Sequence, residues 1–160
     1  QLLGCGSILG HVRTAAQILA SEYGVGSDVF SVTSFNELAR DGQDADRWNM
    51  LHPTAAARVP YITSVLGSEA TIAATDYMKS FAEQVRAFVP TENYRVLGTD
   101  GYGRSDSRAN LRRHFEVNEF YVVVAALTEL AKRGEIDKQV VAEAIAKYGI
   151  DADKVNPLYA

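Results

Sequence analysis

Short apolar runs alternate with segments of helical periodicity along most of this sequence. The apolar runs lie at residues 1–3, 29–32, 71–75 and 94–97, and they lack a regular alternation of apolar and polar residues. Strands of this kind are buried on both faces, which is typical of parallel sheets. The pattern therefore predicts an α/β fold of three layers, in which helices cover both faces of a mostly parallel sheet.

Length and composition are those of one globular domain. The chain has 160 residues, of which 47% are hydrophobic and 22% charged, and this length is enough to bury a single core. The net charge of −4 argues against a nucleic-acid or anionic-membrane partner. The single cysteine, Cys5, cannot form an intrachain disulfide. We therefore expect one domain, residues 1–160, located in the cytoplasm.

The first residues suggest that more chain precedes them. Residues 1–3 are already strand-like, and no methionine, charged leader or apolar signal segment stands before them. We expect the chain to be part of a longer protein, so that its function depends partly on residues outside it.

Helical segments separate the predicted strands. Ser34 and Glu37 have the spacing of a capping box, which predicts a helix after the second strand. Asp41 and Gly42 are expected to break this helix, so that a second short helix follows over residues 44–51.

Further helices are predicted over residues 8–23, 77–89 and 118–133, and a last one begins at Asp137. Residues 61–66 fit a strand or a helix equally well. Periodicity alone does not decide between the two.

The carboxyl ends of parallel strands lie on one edge of the sheet, where open α/β folds bind ligands. The topology places residues 4–6, 33–34, Asp76 and residues 100–104 on that edge. Asp76 and Asp100 could divide acid and base roles there if their surroundings separate their pKa values. The alternative for Asp76 is an N-cap of the helix that follows it.

Three glycines near the start approximate the fingerprint of dinucleotide-binding folds. Gly4, Gly6 and Gly10 follow the first strand, but the fingerprint would place its third glycine at Leu9. The alternative is that these glycines allow tight packing of the strand against the helix.

The richest loop in the sequence follows the fourth strand. Residues 98–108, GTDGYGRSDSR, contain three glycines, two aspartates, two arginines and two serines. Such a loop at a sheet edge is a candidate for ligand or partner binding. The alternative is structural, with glycines in a tight turn and Ser105 or Asp106 capping the next helix.

A basic stripe is predicted just after this loop. Arg104, Arg108 and Arg112 recur every four residues and would share one helix face if the helix began by Ser105. The stripe could bind a phosphate, a carboxylate or an acidic partner surface. The alternative is a solvated face or a subunit contact, and we favour a contact.

No catalytic, cofactor-binding or metal-binding residue is indicated. His11, His52 and His114 are far apart in sequence and have no partner at metal-ligand spacing. Cys5 lies next to a helix N-terminus, which would lower the pKa of its thiol, but we favour the explanation of a small residue in a crowded glycine turn.

Three segments resemble one family over long stretches. They are SVTSFNELARDG (residues 31–42), RWNMLHP (residues 47–53) and the loop at residues 98–108. The chain resembles the C-terminal domain of the homodimeric, bacterial type of pyruvate dehydrogenase, and the resemblance extends into the tail at residues 151–157. Such long matches are highly specific.

The resemblance implies a transketolase-like C-terminal domain of a thiamine-diphosphate enzyme. In this family the cofactor and its magnesium lie between the first two domains of opposite subunits. The family's diphosphate motif, Gly-Asp-Gly followed by paired asparagines, is absent, because Thr99 stands where the first glycine belongs. The resemblance therefore transfers no catalytic, cofactor-binding or metal-binding residue to this chain.

The function implied for the parent enzyme is oxidative decarboxylation of pyruvate and transfer of the acetyl group to lipoyl groups. The implied partners are the remaining domains of the same chain, a homodimer partner and the dihydrolipoamide acetyltransferase component. The domain itself would support packing and dimerisation, and alone it is expected to be inactive. A dehydrogenase for another 2-oxo acid is a less favoured possibility.

From the residues we add one hypothesis and keep one alternative. The hypothesis is that Asp100, Arg104, Asp106 and Arg108 make the principal polar contacts with the rest of the enzyme, since they crowd one loop at the sheet edge. The alternative is a self-standing nucleotide- or phosphate-binding module without catalysis, using the crevice near residues 4–6 and 100–104.

Overall fold

The computed structural model describes residues 1–160 and contains one sheet of four parallel strands. The strands are β1 (Leu2–Cys5), β2 (Val29–Val32), β3 (Thr71–Ala74) and β4 (Tyr94–Leu97), in the order β2-β1-β3-β4. The strands lie where the apolar runs predicted them. The α/β class and the parallel sheet are confirmed.

Seven α-helices surround the sheet: α1 (Leu9–Tyr23), α2 (Phe35–Leu51), α3 (Tyr61–Val65), α4 (Lys79–Glu83), α5 (Arg108–His114), α6 (Glu119–Lys132) and α7 (Lys138–Lys147). Short 3-10 turns occupy Gly6–Ile8, Arg86–Phe88 and Pro157–Tyr159. The ambiguous segment at residues 61–66 is helical. None of the helices combines the length and the apolarity needed to cross a membrane.

The two faces of the sheet bury separate apolar clusters. Leu2 and Leu3 are neighbours on β1, yet Leu2 belongs to one cluster and Leu3 to the other. The first cluster joins the sheet to α1 and α6, with Val12, Leu19, Val123 and Leu127 among its members. The second joins it to α2, α3 and α4, with Phe35, Ile62 and Ala82 among its members. This double burial explains why the strands are apolar on both faces.

The strand register aligns the carboxyl ends along one edge. Gly4 of β1 pairs with Ala74 of β3, which pairs in turn with Leu97 of β4. Because the three strands end level, the loops that follow them meet at this edge. The predicted placement of Asp76 and of the loop at residues 98–108 is therefore confirmed.

α2 is a single helix, so the predicted break at residues 41–42 is wrong. Its start is as predicted, because the Ser34 hydroxyl accepts a hydrogen bond from the Glu37 backbone N–H at 3.2 Å. Gly42 lies inside the helix and is buried against the ring of Phe88. A Cβ at this position would overlap the ring. The glycine therefore serves close packing and does not end the helix.

The helix predicted over residues 77–89 is also wrong in extent. α4 covers only Lys79–Glu83, and a 3-10 turn follows at Arg86–Phe88. Asp76 is not the N-cap of α4, because Met78 holds that position without a side-chain capping bond. Instead, a carboxylate from a distant loop accepts a hydrogen bond from the first turn of α4, as described below.

Glu129 is a buried carboxylate that ties α6 to the β4 edge of the sheet. Its side chain is 3% exposed and accepts hydrogen bonds from Arg95 Nε at 2.6 Å and from Lys132 Nζ at 3.0 Å. Burial raises the pKa of this carboxyl, but the hydrogen bonds from Lys132 and Arg95 together outweigh burial and hold the pKa below its ordinary value.

Replacing Glu129 should weaken the fold in a pH-dependent way. We expect Glu129→Gln to lower the free energy of unfolding by about 1–3 kcal/mol at pH 7, because the charged hydrogen bonds to Arg95 and Lys132 are lost. Since the folded-state pKa is lowered, this stabilisation is complete above the ordinary pKa of about 4.3 and is lost as pH falls through the folded-state value. Urea unfolding at neutral and at acidic pH measures it. Glu92→Gln, at an exposed loop position, is the control, and an effect of Glu129→Gln that is equal at both pH values would contradict this assignment.

The packing of Gly42 gives a second test. We expect Gly42→Ala to destabilise the fold by about 1–3 kcal/mol, because the new methyl group overlaps the Phe88 ring. Gly10→Ala is the matched control in α1, where no atom lies within 4 Å of the added Cβ. It should stabilise the fold by about 0.5–1 kcal/mol. Thermal unfolding of both variants decides the matter, and equal effects at the two positions would refute the packing role.

Candidate functional site

A cleft of about 500 Å³ opens at the carboxyl edge of the sheet. β1 lies between β2 and β3, so the chain order reverses between β1 and β3, which is the usual ligand position in open α/β sheets. We call it the arginine cleft, because its polar lining includes Ser7, Asp76, Thr99, Arg104, Arg108 and Arg112. It is the natural candidate site of this domain.

Arg112 of α5 is held in the cleft by two residues near the start of α1. Its Nη2 donates to the Ser7 hydroxyl at 2.9 Å, and its Nη1 donates to His11 Nε2 at 2.7 Å. Because His11 Nε2 accepts this bond, its Nδ1 bears the proton and donates it to Glu119. The Ser7 hydroxyl in turn donates to Asp76 Oδ2 at 2.6 Å. Arg112 is thus oriented by neutral groups.

Arg104 is positioned in a similar way by His114. Its Nη1 donates to His114 Nδ1 at 3.1 Å. Burial lowers the pKa of His114, and the positive charges of Arg104 and Lys154 lower it further. The imidazole is therefore neutral at pH 7 and accepts the bond without cancelling the charge of Arg104.

The predicted basic stripe holds for Arg108 and Arg112, which lie four residues apart on α5, but not for Arg104. α5 begins at Arg108, and its N-cap is Ser107, whose hydroxyl accepts from the Asn110 N–H at 3.3 Å. Arg104 therefore lies in the preceding loop and not on the helix. The arginines nevertheless meet, because Arg104, Arg108 and Arg112 all line the same cleft.

Asp106 shapes the start of α5 without being its N-cap. Its carboxylate accepts from the Ser107 N–H at 2.7 Å and from Asn110 Nδ2 at 2.8 Å. The hydrogen bond from Asn110, followed by that from Ser107, lowers the pKa of Asp106. The expectation that Ser105 or Asp106 caps this helix is therefore wrong, because Ser107 is the N-cap.

Asp76 and Asp100 do not form an acid–base pair in this structure. Asp76 faces the cleft and binds Ser7, whereas Asp100 Oδ1 accepts from the Lys79 backbone N–H at 3.0 Å. Asp100 thus binds the first residue of α4. The two carboxylates hold different segments in place and share no partner.

The loop at residues 98–108 packs on the C-terminal turn, a contact that the sequence did not indicate. Gly101 has φ of +104°, and a Cβ there would overlap the carbonyl of Pro157. Only glycine fits a backbone with this conformation and this contact.

Exposed apolar side chains surround this contact. Tyr102 is 80% exposed and Tyr159 is 78% exposed. We define the apolar rim as the exposed large side chains of the loop and of the segments that touch it: Tyr77, Met78, Tyr102, Leu158 and Tyr159. Several large exposed apolar side chains in neighbouring segments are typical of an interaction surface.

The partial glycine fingerprint has a packing role. A Cβ at Gly4 would lie 2.9 Å from Leu9 Cα, whereas Gly10 has no neighbour within 4 Å. Gly4 therefore permits the close approach of β1 and α1, which was the alternative to dinucleotide binding.

Cys5 and His52, the other residues considered for chemistry, have surroundings that fit a structural role. Burial raises the pKa of the Cys5 thiol, which disfavours the thiolate. His52 stacks on Trp48 with ring centroids 4.4 Å apart. No group of three or more histidine, cysteine, aspartate or glutamate side chains is placed to hold a metal ion.

Comparison with known proteins assigns the chain to a family. The family described as "Transketolase-like TK C-terminal domain" matches residues 1–118. The chain is 73% identical over 160 residues to the pyruvate dehydrogenase E1 component of Escherichia coli K12, covering all of this chain and 18% of that protein. The corresponding protein of Haemophilus influenzae is 66% identical over the same length, and that of Pseudomonas aeruginosa is 57% identical over 160 residues, again across 18% of the relative.

The chain therefore spans about a fifth of the length of these relatives, and the matched part of the E. coli protein is its C-terminal region. The resemblance found from the motifs is confirmed, and nothing supports a self-standing nucleotide- or phosphate-binding module. With residues 1–118 matched to the family and the α/β architecture expected of it, the chain belongs to the transketolase-like C-terminal domains.

Proposed function

We propose that this chain is the C-terminal domain of a pyruvate dehydrogenase first component. The parent enzyme would oxidatively decarboxylate pyruvate and transfer the acetyl group to lipoyl groups of the dihydrolipoamide acetyltransferase component. The observation that supports this most strongly is 73% identity to the E. coli protein along the whole chain. The cytoplasm is the proposed location.

The domain's role in this proposal is structural. The family resemblance places thiamine diphosphate and magnesium between the first two domains of opposite subunits in the full-length enzyme, outside the residues of this chain. No acidic or histidine cluster is placed to hold a metal ion, and Asp100, in the segment that departs from the diphosphate motif, already binds the backbone of α4. We therefore place the cofactor outside this domain and no catalytic group within it.

The domain would act by holding the rest of the enzyme and its homodimer partner in a fixed geometry. A cofactor performs the difficult chemistry in such enzymes, and the protein supplies orientation and rigidity. The loop at residues 98–108 suits this role, because hydrogen bonds fix it at both ends and it lies exposed at the sheet edge.

Of the four residues expected to make the polar contacts, Arg104 and Arg108 are the proposed contacts with a partner, and Asp100 and Asp106 are proposed to support them. Asp100 and Asp106 bind backbone N–H groups and so set the shape of the loop. Arg104 and Arg108 form no ion pair within the chain, so their charges remain available for a partner. The adjoining apolar rim would supply the buried area that arginine contacts alone do not provide.

Replacing both arginines in the full-length enzyme tests the proposal. We expect Arg104→Ala/Arg108→Ala to weaken the homodimer, or to raise the cofactor's apparent dissociation constant, by about tenfold, because arginines at the centre of an interface commonly account for 1–2 kcal/mol. Sedimentation velocity over a dilution series and cofactor titration measure these effects.

Arg13→Ala is the matched control, since Arg13 is exposed on α1 and has no ion-pair partner. It should leave both quantities unchanged. If the double variant has the dimer stability, cofactor affinity and activity of the unmodified enzyme, the loop is not the interface.

A further inference from the structure

The arginine cleft has an excess of positive charge that the chain itself does not neutralise. Arg104, Arg108 and Arg112 line it, and none of them forms an ion pair within the 160 residues. Most other arginines do so, for example Arg86 with Glu83 and Arg95 with Glu129. Three guanidinium groups without an ion pair around one opening are available to bind a counter-charge from elsewhere.

The hydrogen-bond partners of these arginines preserve the charge. Arg112 binds His11 and Ser7, and Arg104 binds His114, all of which are neutral acceptors. Such bonds fix the direction of a guanidinium group and leave other N–H donors free. Arg112 uses two of its five donors in this way, and Arg108 uses none.

The acidic side chains that line the cleft carry one charge fewer than its arginines. Asp76 and Asp106 also line it, so that three arginines and two aspartates leave a net charge of +1. One further carboxylate would neutralise the cleft, whereas a doubly charged phosphate would leave it negative. A carboxylate also matches the two parallel N–H groups of an arginine.

The surroundings favour a protein side chain as the source of this carboxylate. The apolar rim continues the surface beyond the cleft, with Tyr102 and Tyr159 strongly exposed. Tyrosine and arginine together are typical of the centres of protein interfaces. Similar proteins are more than five times as long as this chain, so a large protein surface is available to meet it.

We propose that the arginine cleft is a receptor for one aspartate or glutamate side chain from the part of the native polypeptide outside residues 1–160. The inference rests on the proposed function, in which this domain packs against the rest of the enzyme. It goes further by naming the chemical nature of the contact and by adding Arg112. The side chains of Ser7 and His11 position the guanidinium group of this arginine.

A zero-length cross-link tests the proposal in the full-length enzyme. The variant Arg108→Lys places an amine at the mouth of the cleft, and a carbodiimide joins an amine only to a carboxylate in direct contact. We expect about tenfold more cross-linked product with Arg108→Lys than with the exposed control Arg13→Lys, because the docked carboxylate is at high local concentration. Peptide mass spectrometry should identify an aspartate or glutamate outside residues 1–160.

Three outcomes would overturn the proposal. One is a cross-link only to Asp76 or Asp106, and another is no cross-link above the control. The third is binding of a free small anion. In that case phenylglyoxal would modify Arg104, Arg108 and Arg112 of the unmodified enzyme rapidly in phosphate-free buffer and slowly only after inorganic phosphate is added. The proposal instead predicts that the three arginines are modified more slowly than Arg13 even in phosphate-free buffer.

Tyrosine footprinting separates this failure from a failure of the proposed function. If Tyr102 and Tyr159 are protected in the full-length enzyme but no cross-link forms, the domain packs on the enzyme and only the carboxylate contact is refuted. If both tyrosines react as freely as a fully exposed tyrosine, the packing role and the carboxylate contact are both refuted.

Discussion

The structure depends on the pairing of β1 with parallel neighbours on both sides while both of its faces are buried. Leu2 is 2% exposed and Leu3 is 1% exposed, each in a different apolar cluster. Because β1 is central, its carboxyl end sets the position of the loops at the carboxyl edge of the sheet. Gly4 admits α1 closely, and the turn that follows delivers Ser7 into the cleft.

The arginine cleft follows from this arrangement and from the neutral side chains that hold its arginines. Several arginines elsewhere in the chain are paired with carboxylates, as Arg95 is with Glu129. In the cleft, His11 and His114 accept the hydrogen bonds instead, so direction is fixed while charge is kept. This combination suits a contact surface better than a catalytic centre, which supports the structural role proposed for this domain.

Local signals in the sequence predicted much of the fold. The apolar runs located all four strands, and Ser34 and Asp137 marked the starts of α2 and α7, where both act as N-caps. The predictions failed where distant residues decide the outcome. Gly42 resembled a helix end, yet it lies inside α2, where the lack of a side chain lets the Phe88 ring pack closely. Asp76 resembled an N-cap, yet Asp100 from another loop binds the start of α4.

The sequence by itself determined the α/β class, the sheet edge at which the polar loops meet and, through its long motifs, the family. These properties depend on periodicity and on residue order, which are local. Only the tertiary structure decided that Arg104, Arg108 and Arg112 share a cleft although they do not share a helix face, and that Ser7 and His11 hold the innermost of them. Contacts between residues about a hundred positions apart depend on how helices pack on the sheet, and no local pattern specifies that packing.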